Sequence, residues 1–169
     1  MAVQLTYPQT MVRGFAGMWA DDGEHDAVTR VNAEATLEIP FGGFVAEGST
    51  AAAAILPVAA NAKLVGPLVH SHEYNALYDL GTIGVKPKVT MAICRVGRVY
   101  LKSETTVAKG DRVFVRYAAG AGGTQLGAVR NAAVASETIE VKGCYFDEAA
   151  GAGAIVPVQI DMNAFRSHL

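Results

Sequence analysis

Residues 69–75 read VHSHEYN, and within this run His70 and His72 are the best-placed pair for metal chemistry. Side chains alternate faces along a strand. His70, His72 and Tyr74 therefore share one face, while Ser71 and Glu73 point to the other. Two imidazoles on one face can share a metal, but Glu73 cannot join them without a bend. A catalytic zinc site needs about three protein ligands and partners that orient them. A third ligand has no clear source here. His25 lies in an N-terminal segment without strand alternation, and His168 is one residue from the end.

The β-barrel metal motif of the cupins also needs a glutamate a few residues after the second histidine. Ala76 and Leu77 stand there. The expectation is that His70 and His72 hold no metal and serve as polar strand-end or interface residues. A cupin-like small β-barrel metalloenzyme using His70 and His72 is the alternative.

Other motifs fall short in similar ways. Gly122 and Gly127 have the G-x-x-x-x-G spacing of a phosphate loop, but Ala128 and Val129 replace the lysine and hydroxyl residue that would reach phosphate and magnesium. Residues 120–130 (GAGGTQLGAVR) therefore read as a hairpin loop. Asp21, Asp22, Glu24 and Asp26 cluster around Gly23 without the closing glutamate of a calcium loop, and read as a solvated acidic loop. A G-x-S-x-G nucleophile elbow does not occur. Cys94 and Cys144 each fall in an apolar, strand-like run and are expected to be buried free thiols.

The elements around these residues follow a period of two. In residues 89–94, Val89, Met91 and Ile93 share a face. In 98–102, Val99 and Leu101 oppose Arg98, Tyr100 and Lys102. In 112–117, Val113, Val115 and Tyr117 oppose Arg112, Phe114 and Arg116. Such alternation marks half-buried antiparallel strands. Strands are expected near 37–47, 55–58, 64–71, 89–102, 112–117, 139–146 and 154–160, with turn glycines between them. Pro157 lacks a ladder donor, which points to an edge or a bulge for the last strand.

Residues 8–33 do not alternate. Residues 1–33 are expected to form an N-terminal arm, and 34–169 an all-β domain, either a small barrel or a jelly-roll-like sandwich. On the arm, Phe15, Met18 and Trp19 are candidate interface anchors, because exposed aromatic and methionine side chains dominate interface energetics.

Composition bounds the partners. The chain has 169 residues, 51% hydrophobic and 18% charged, with a formal net charge of −2. That is enough for one domain with a core. It is too apolar for a disordered chain. A basic stripe for nucleic acid and a membrane-length apolar run are both missing from the sequence. The start, MAVQLTYPQT, lacks the basic and apolar regions of a secretory signal, so synthesis in the cytoplasm is expected. A surface this poor in charge suits a protein that lives against neighbours.

The order of short motifs along the chain resembles the structural cement, or head decoration, proteins of tailed bacteriophages. These are Ala16-Gly17-Met18 with Asp21, then Val28, Arg30 and Ile39-Pro40-Phe41-Gly42, Leu56-Pro57, Gly66 and Val69-His70-Ser71-His72. They continue in Gly81-Thr82-Ile83-Gly84-Val85-Lys86-Pro87, Arg95-Val96-Gly97-Arg98-Val99-Tyr100 and Gly110-Asp111-Arg112-Val113-Phe114-Val115-Arg116. They end with Thr124-Gln125-Leu126-Gly127 and the turn at 149–153. Lys88 departs from the pattern, standing where members of the family often carry a turn glycine. The resemblance implies a β-rich fold and a virion protein on the outer capsid surface, made in the host cytoplasm. It implies small homo-oligomers that clamp neighbouring major capsid protein subunits against internal DNA pressure; short strands whose edges need cover and a charge-poor surface lead to the expectation of a dimer, with a trimer as the alternative. No catalysis and no cofactor are implied. A carbohydrate-binding decoration module is a weaker reading, since no exposed aromatic platform stands out.

Overall fold

The computed structural model describes residues 14–70, 84–120 and 123–166. In chain order the described strands are β1 (Asp26–Asn32), β2 (Ile39–Pro40), β3 (Phe44–Glu47), β4 (Ala53–Ile55), β5 (Leu64–Pro67) and β6 (Gly84–Val85). They continue as β7 (Thr90–Lys102), β8 (Arg112–Arg116), β9 (Val129–Arg130), β10 (Thr138–Phe146) and β11 (Ile155–Asp161), followed by a short helix α1 (Met162–Arg166). Asp161 caps that helix by accepting the N–H groups of Asn163 and Ala164 at 3.0 and 3.1 Å.

Nine strands form one sheet in the order β5-β3-β4-β1-β7-β11-β10-β8-β9, and β2 pairs with β6 as a separate ribbon. The fold is all-β, as expected. The sheet is mixed rather than purely antiparallel, because β1 runs parallel to β4. It curls until Phe44 N–H donates to Gly127 O at 2.9 Å. Among the described residues no ladder joins β5 to β9, so the sheet is not a closed barrel.

β7 is the spine. The first half pairs with β1 and the second half with β11. Between them the register slips: Asp26 faces Val96 while Ala27 faces Cys94, which leaves Arg95 as the extra residue of a bulge. One extra residue exchanges the two faces. Met91 and Ile93 enter a core cluster with Ile39, Val45, Val65 and Val85. Past the bulge, Val99 and Leu101 enter a larger cluster with Val113, Val115, Phe146, Val156 and Val158. β3 feeds both, through Val45 to one cluster and Phe44 to the other, which is why its first three residues are buried.

Two expectations about position are corrected. The first is the division at residue 33. Asp26–Asn32 is a strand inside the sheet, hydrogen-bonded between β4 and β7, so the described part of the expected arm belongs to the main body. The alternation of β1 is masked because Arg30 occupies the half-buried row between Val28 and Asn32. Asn32 is wholly buried and its side-chain amide donates to Val85 O at 2.8 Å, tying β1 to the β2–β6 ribbon.

The second is the edge position for the last strand. β11 lies inside the sheet, between β7 and β10. Pro157 is tolerated because Tyr100 opposite it uses its backbone groups on other partners, Gly17 and Met18. The β10 pairing ends just before it, at Val158 with Phe146.

Candidate interaction surface

Residues 14–20 join the sheet beside β1. Gly17 N–H donates to Tyr100 O, Tyr100 N–H to Met18 O and Ala20 N–H to Arg98 O, each at 2.8 Å. Trp19 bridges to Val99. Strand alternation then decides where each candidate anchor points. Trp19 shares the inner face with Val99 and packs against the larger core cluster, with its ring 4.4 Å from that of His25. Met18 points outward and is 37% exposed. Phe15 is 43% exposed. Of the three candidates, the structure leaves Phe15 and Met18 open to a partner and places the Trp19 ring against the core.

His70 stands between Phe15 and Phe41, with ring centroids at 4.6 Å from each. Its N–H donates to Gly17 O at 2.8 Å. The histidine thus locks the N-terminal segment onto the sheet. His72, Glu73 and Tyr74 lie outside the described residues, as does His168. Among the described residues no three His, Cys, Asp or Glu side chains come together as a metal site.

The acidic loop is tied down by arginines. Asp21 accepts from Arg98 at 2.8 Å and from Gly23 N–H at 3.2 Å, and the Arg98 contact holds its carboxyl below the usual range. Arg98 also pairs with Asp147, and Arg95 lies 3.6 Å from Asp26.

The glycine-rich run surrounds a buried ionic knot that the sequence did not reveal. Arg116 sits on the face away from Val113 and Val115, as its parity requires, yet it is wholly buried. Glu104 grips it through two hydrogen bonds at 2.8 and 2.9 Å, and Glu137 through one at 2.6 Å. The bonds from Glu104 and, after them, Glu137 raise the guanidinium pKa further. A β-carbon at Gly120 would overlap the Glu137 carboxylate, and one at Gly123 would lie 2.5 Å from Glu104 Oε1. These glycines are small because a charged cluster lies beneath them, not because a phosphate lies above. A groove of about 480 Å³ borders the knot, lined by Phe41, Lys102, Glu104 and Gln125 among others. Its one carboxylate in that set is already engaged by Arg116.

Both thiols are free and buried in the larger cluster. Desolvation pushes Cys144 up to about 12 and raises Cys94 as well.

A curled all-β body, braced by buried ion pairs and carrying apolar side chains on its surface, is the construction of a structural module. The family model for structural cement proteins (E217 gp24/Pam3 gp6) matches residues 3–161, and the chain belongs to that family of phage structural proteins. A solved chain from the capsid of Myoviridae phage XM1 has the same fold, with a TM-score of 0.68 at 17% identity. The match covers 95% of this chain and 98% of that one. No curated protein matches the chain.

Proposed function

We propose that the protein binds the outer surface of a phage capsid and cements neighbouring major capsid protein subunits, stabilising the head. Membership of the cement family over residues 3–161 is the observation that carries this reading. The exposed Phe15 and Met18 support it, as anchors for a subunit contact. The mechanism is mechanical. Each contact is weak, but a subunit that bridges two capsid proteins makes its second contact intramolecularly, at a high effective concentration. The protein acts as a small homo-oligomer, a dimer first and a trimer otherwise, so that one assembly touches several capsid subunits.

The test uses heads that lack the protein. Adding it back should place density on the outside of the shell at subunit junctions in cryo-electron microscopy, and should raise the temperature at which heads release DNA. Density on the inner surface, or bound protein with no gain in head stability, overturns the reading.

A further inference from the structure

We infer that Asp22 is a site of spontaneous backbone isomerisation, in which the Gly23 nitrogen closes on its side chain and the modified turn loosens the segment at 14–20. Asp22-Gly23 is the one Asp-Gly pair of the sequence, and no Asn-Gly pair occurs. The residue after the aspartate matters because its backbone nitrogen is the nucleophile. A glycine there puts no β-carbon beside the attacking atom and leaves the backbone free to rotate into line.

The structure adds exposure and freedom. Residues 21–24 are exposed and lie between the Trp19 bridge to Val99 and the start of β1, so neither ladder holds them. Among the described residues, the Asp22 carboxyl has no ion pair or hydrogen bond. Asp21 differs on both counts: Arg98 holds its carboxyl at 2.8 Å, and the residue after it carries a side chain. The other described aspartates, Asp26, Asp111, Asp147 and Asp161, are engaged by Arg95, Asn131, Arg98 and the start of α1, and none precedes a glycine.

The chemistry needs water alone. The Gly23 nitrogen attacks Cγ of Asp22. The N–Cγ bond forms, the Cγ–OH bond breaks, and the amide proton leaves with that hydroxyl as water. The product is a cyclic imide. Water then adds at the main-chain carbonyl carbon of Asp22. The bond from that carbon to the Gly23 nitrogen breaks, and the nitrogen regains a proton from the water. The chain now runs through Cβ and Cγ of residue 22, and the former main-chain carbonyl is a free carboxylate. Mass and charge are unchanged.

The main chain gains one carbon, a bond of about 1.5 Å. This turn has no slack for it. Asp21 Oδ1 accepts the Gly23 N–H at 3.2 Å, and His25 Nδ1 lies 2.9 Å from Gly23 O. The same His25 stacks on Trp19 with ring centroids 4.4 Å apart. A β-carbon at Gly97 would lie 2.9 Å from the Trp19 ring and 3.0 Å from His25 Cβ, so both side chains sit tight against β7. The longer chain displaces Gly23 from Asp21 or from His25, and so loosens the hold of Trp19 on β7. Phe15 and Met18 ride on that segment, so their presentation changes as the protein ages.

The test ages the folded full chain at neutral pH, maps its peptides by mass spectrometry and labels isoaspartate with a methyltransferase specific for it. A peptide of unchanged mass and shifted retention, labelled at residue 22, should accumulate. Asp22→Glu keeps the charge but would have to close a larger ring, and should abolish the label. Hydrogen exchange then compares aged with fresh protein. The Gly17 and Ala20 amides should exchange about fivefold faster or more, the effect of one lost hydrogen bond. Amides of β10 and β11 should keep their rates, and aged Asp22→Glu protein should show no change at Gly17 or Ala20. Three results overturn the inference. They are isoaspartate absent from residue 22 of the folded chain while the urea-unfolded chain forms it, isoaspartate forming as fast at other aspartates of the folded chain, and isomerised protein whose Gly17 and Ala20 amides exchange as before.

Discussion

Arg116 and Glu104 meet through two parallel hydrogen bonds, Nε to Oε1 at 2.8 Å and Nη2 to Oε2 at 2.9 Å, around a guanidinium that water does not reach. Removing one partner of a buried pair leaves an uncompensated charge, which typically costs about 3–5 kcal/mol. Glu137 stays to share the charge, so Glu104→Ala should fall near the low end, about 3 kcal/mol. For a chain of this size that lowers the thermal midpoint by roughly 6–12 °C. Calorimetry checks it. A shift within a degree or two would mean that Glu137 alone satisfies Arg116.

Trp19 and Met18 are sequence neighbours with opposite fates. Trp19→Ala removes a ring from the core face and should destabilise the fold by roughly 3 kcal/mol, read by urea denaturation. Met18→Ala changes an exposed side chain and should move stability by less than about 0.5 kcal/mol. The same variant should weaken assembly or head binding. Equal effects of the two variants on stability would contradict the outward direction of Met18.

Lys88 has φ of +66° and donates its N–H to Asn32 O at 2.8 Å. A left-handed conformation costs a residue with a β-carbon about 1–2 kcal/mol, which glycine avoids at some entropic expense in the unfolded chain. Lys88→Gly should therefore leave stability unchanged or raise it by up to about 1 kcal/mol, and Lys88→Val should lower it. The positive φ at Lys88 is thus a strain absorbed locally.

Cys94 and Cys144 should resist alkylation in the folded protein and react on unfolding, since both thiols are buried. The direction of the pH dependence follows from their raised pKa values. Above the ordinary value of 9.0 an unfolded thiol loses its proton, while the folded Cys144 keeps its proton up to about 12. The unfolded state then binds fewer protons, so stability falls as pH rises above about 9. Cys144→Ser should flatten part of that decline in melts between pH 8 and 10. An identical slope would show that other groups set it.

What the sequence determined by itself is local. The alternation of Met91 and Ile93, and again of Val99 and Leu101, announced the strand that became β7, because a half-buried strand must sort its side chains by parity. The burial of Cys94 and Cys144 followed from the apolar runs around them. The motif order from Ala16-Gly17-Met18 to the 149–153 turn resembles that of the phage cement proteins, and the family match bears it out. Tertiary structure decided what depends on pairing. The bulge at Arg95 sends the two halves of β7 into different cores, and no local pattern marks the residue at which a partner's register slips. β1 was hidden because Arg30 sits where an apolar residue would have completed the period. Trp19 faces the core because its segment happens to lie antiparallel to Val99. Arg116 obeys its parity and is still buried, because Glu104 and Glu137 arrive over it from positions 12 and 21 residues away. Alternation is a property of one strand, whereas burial depends on what the rest of the chain lays over it.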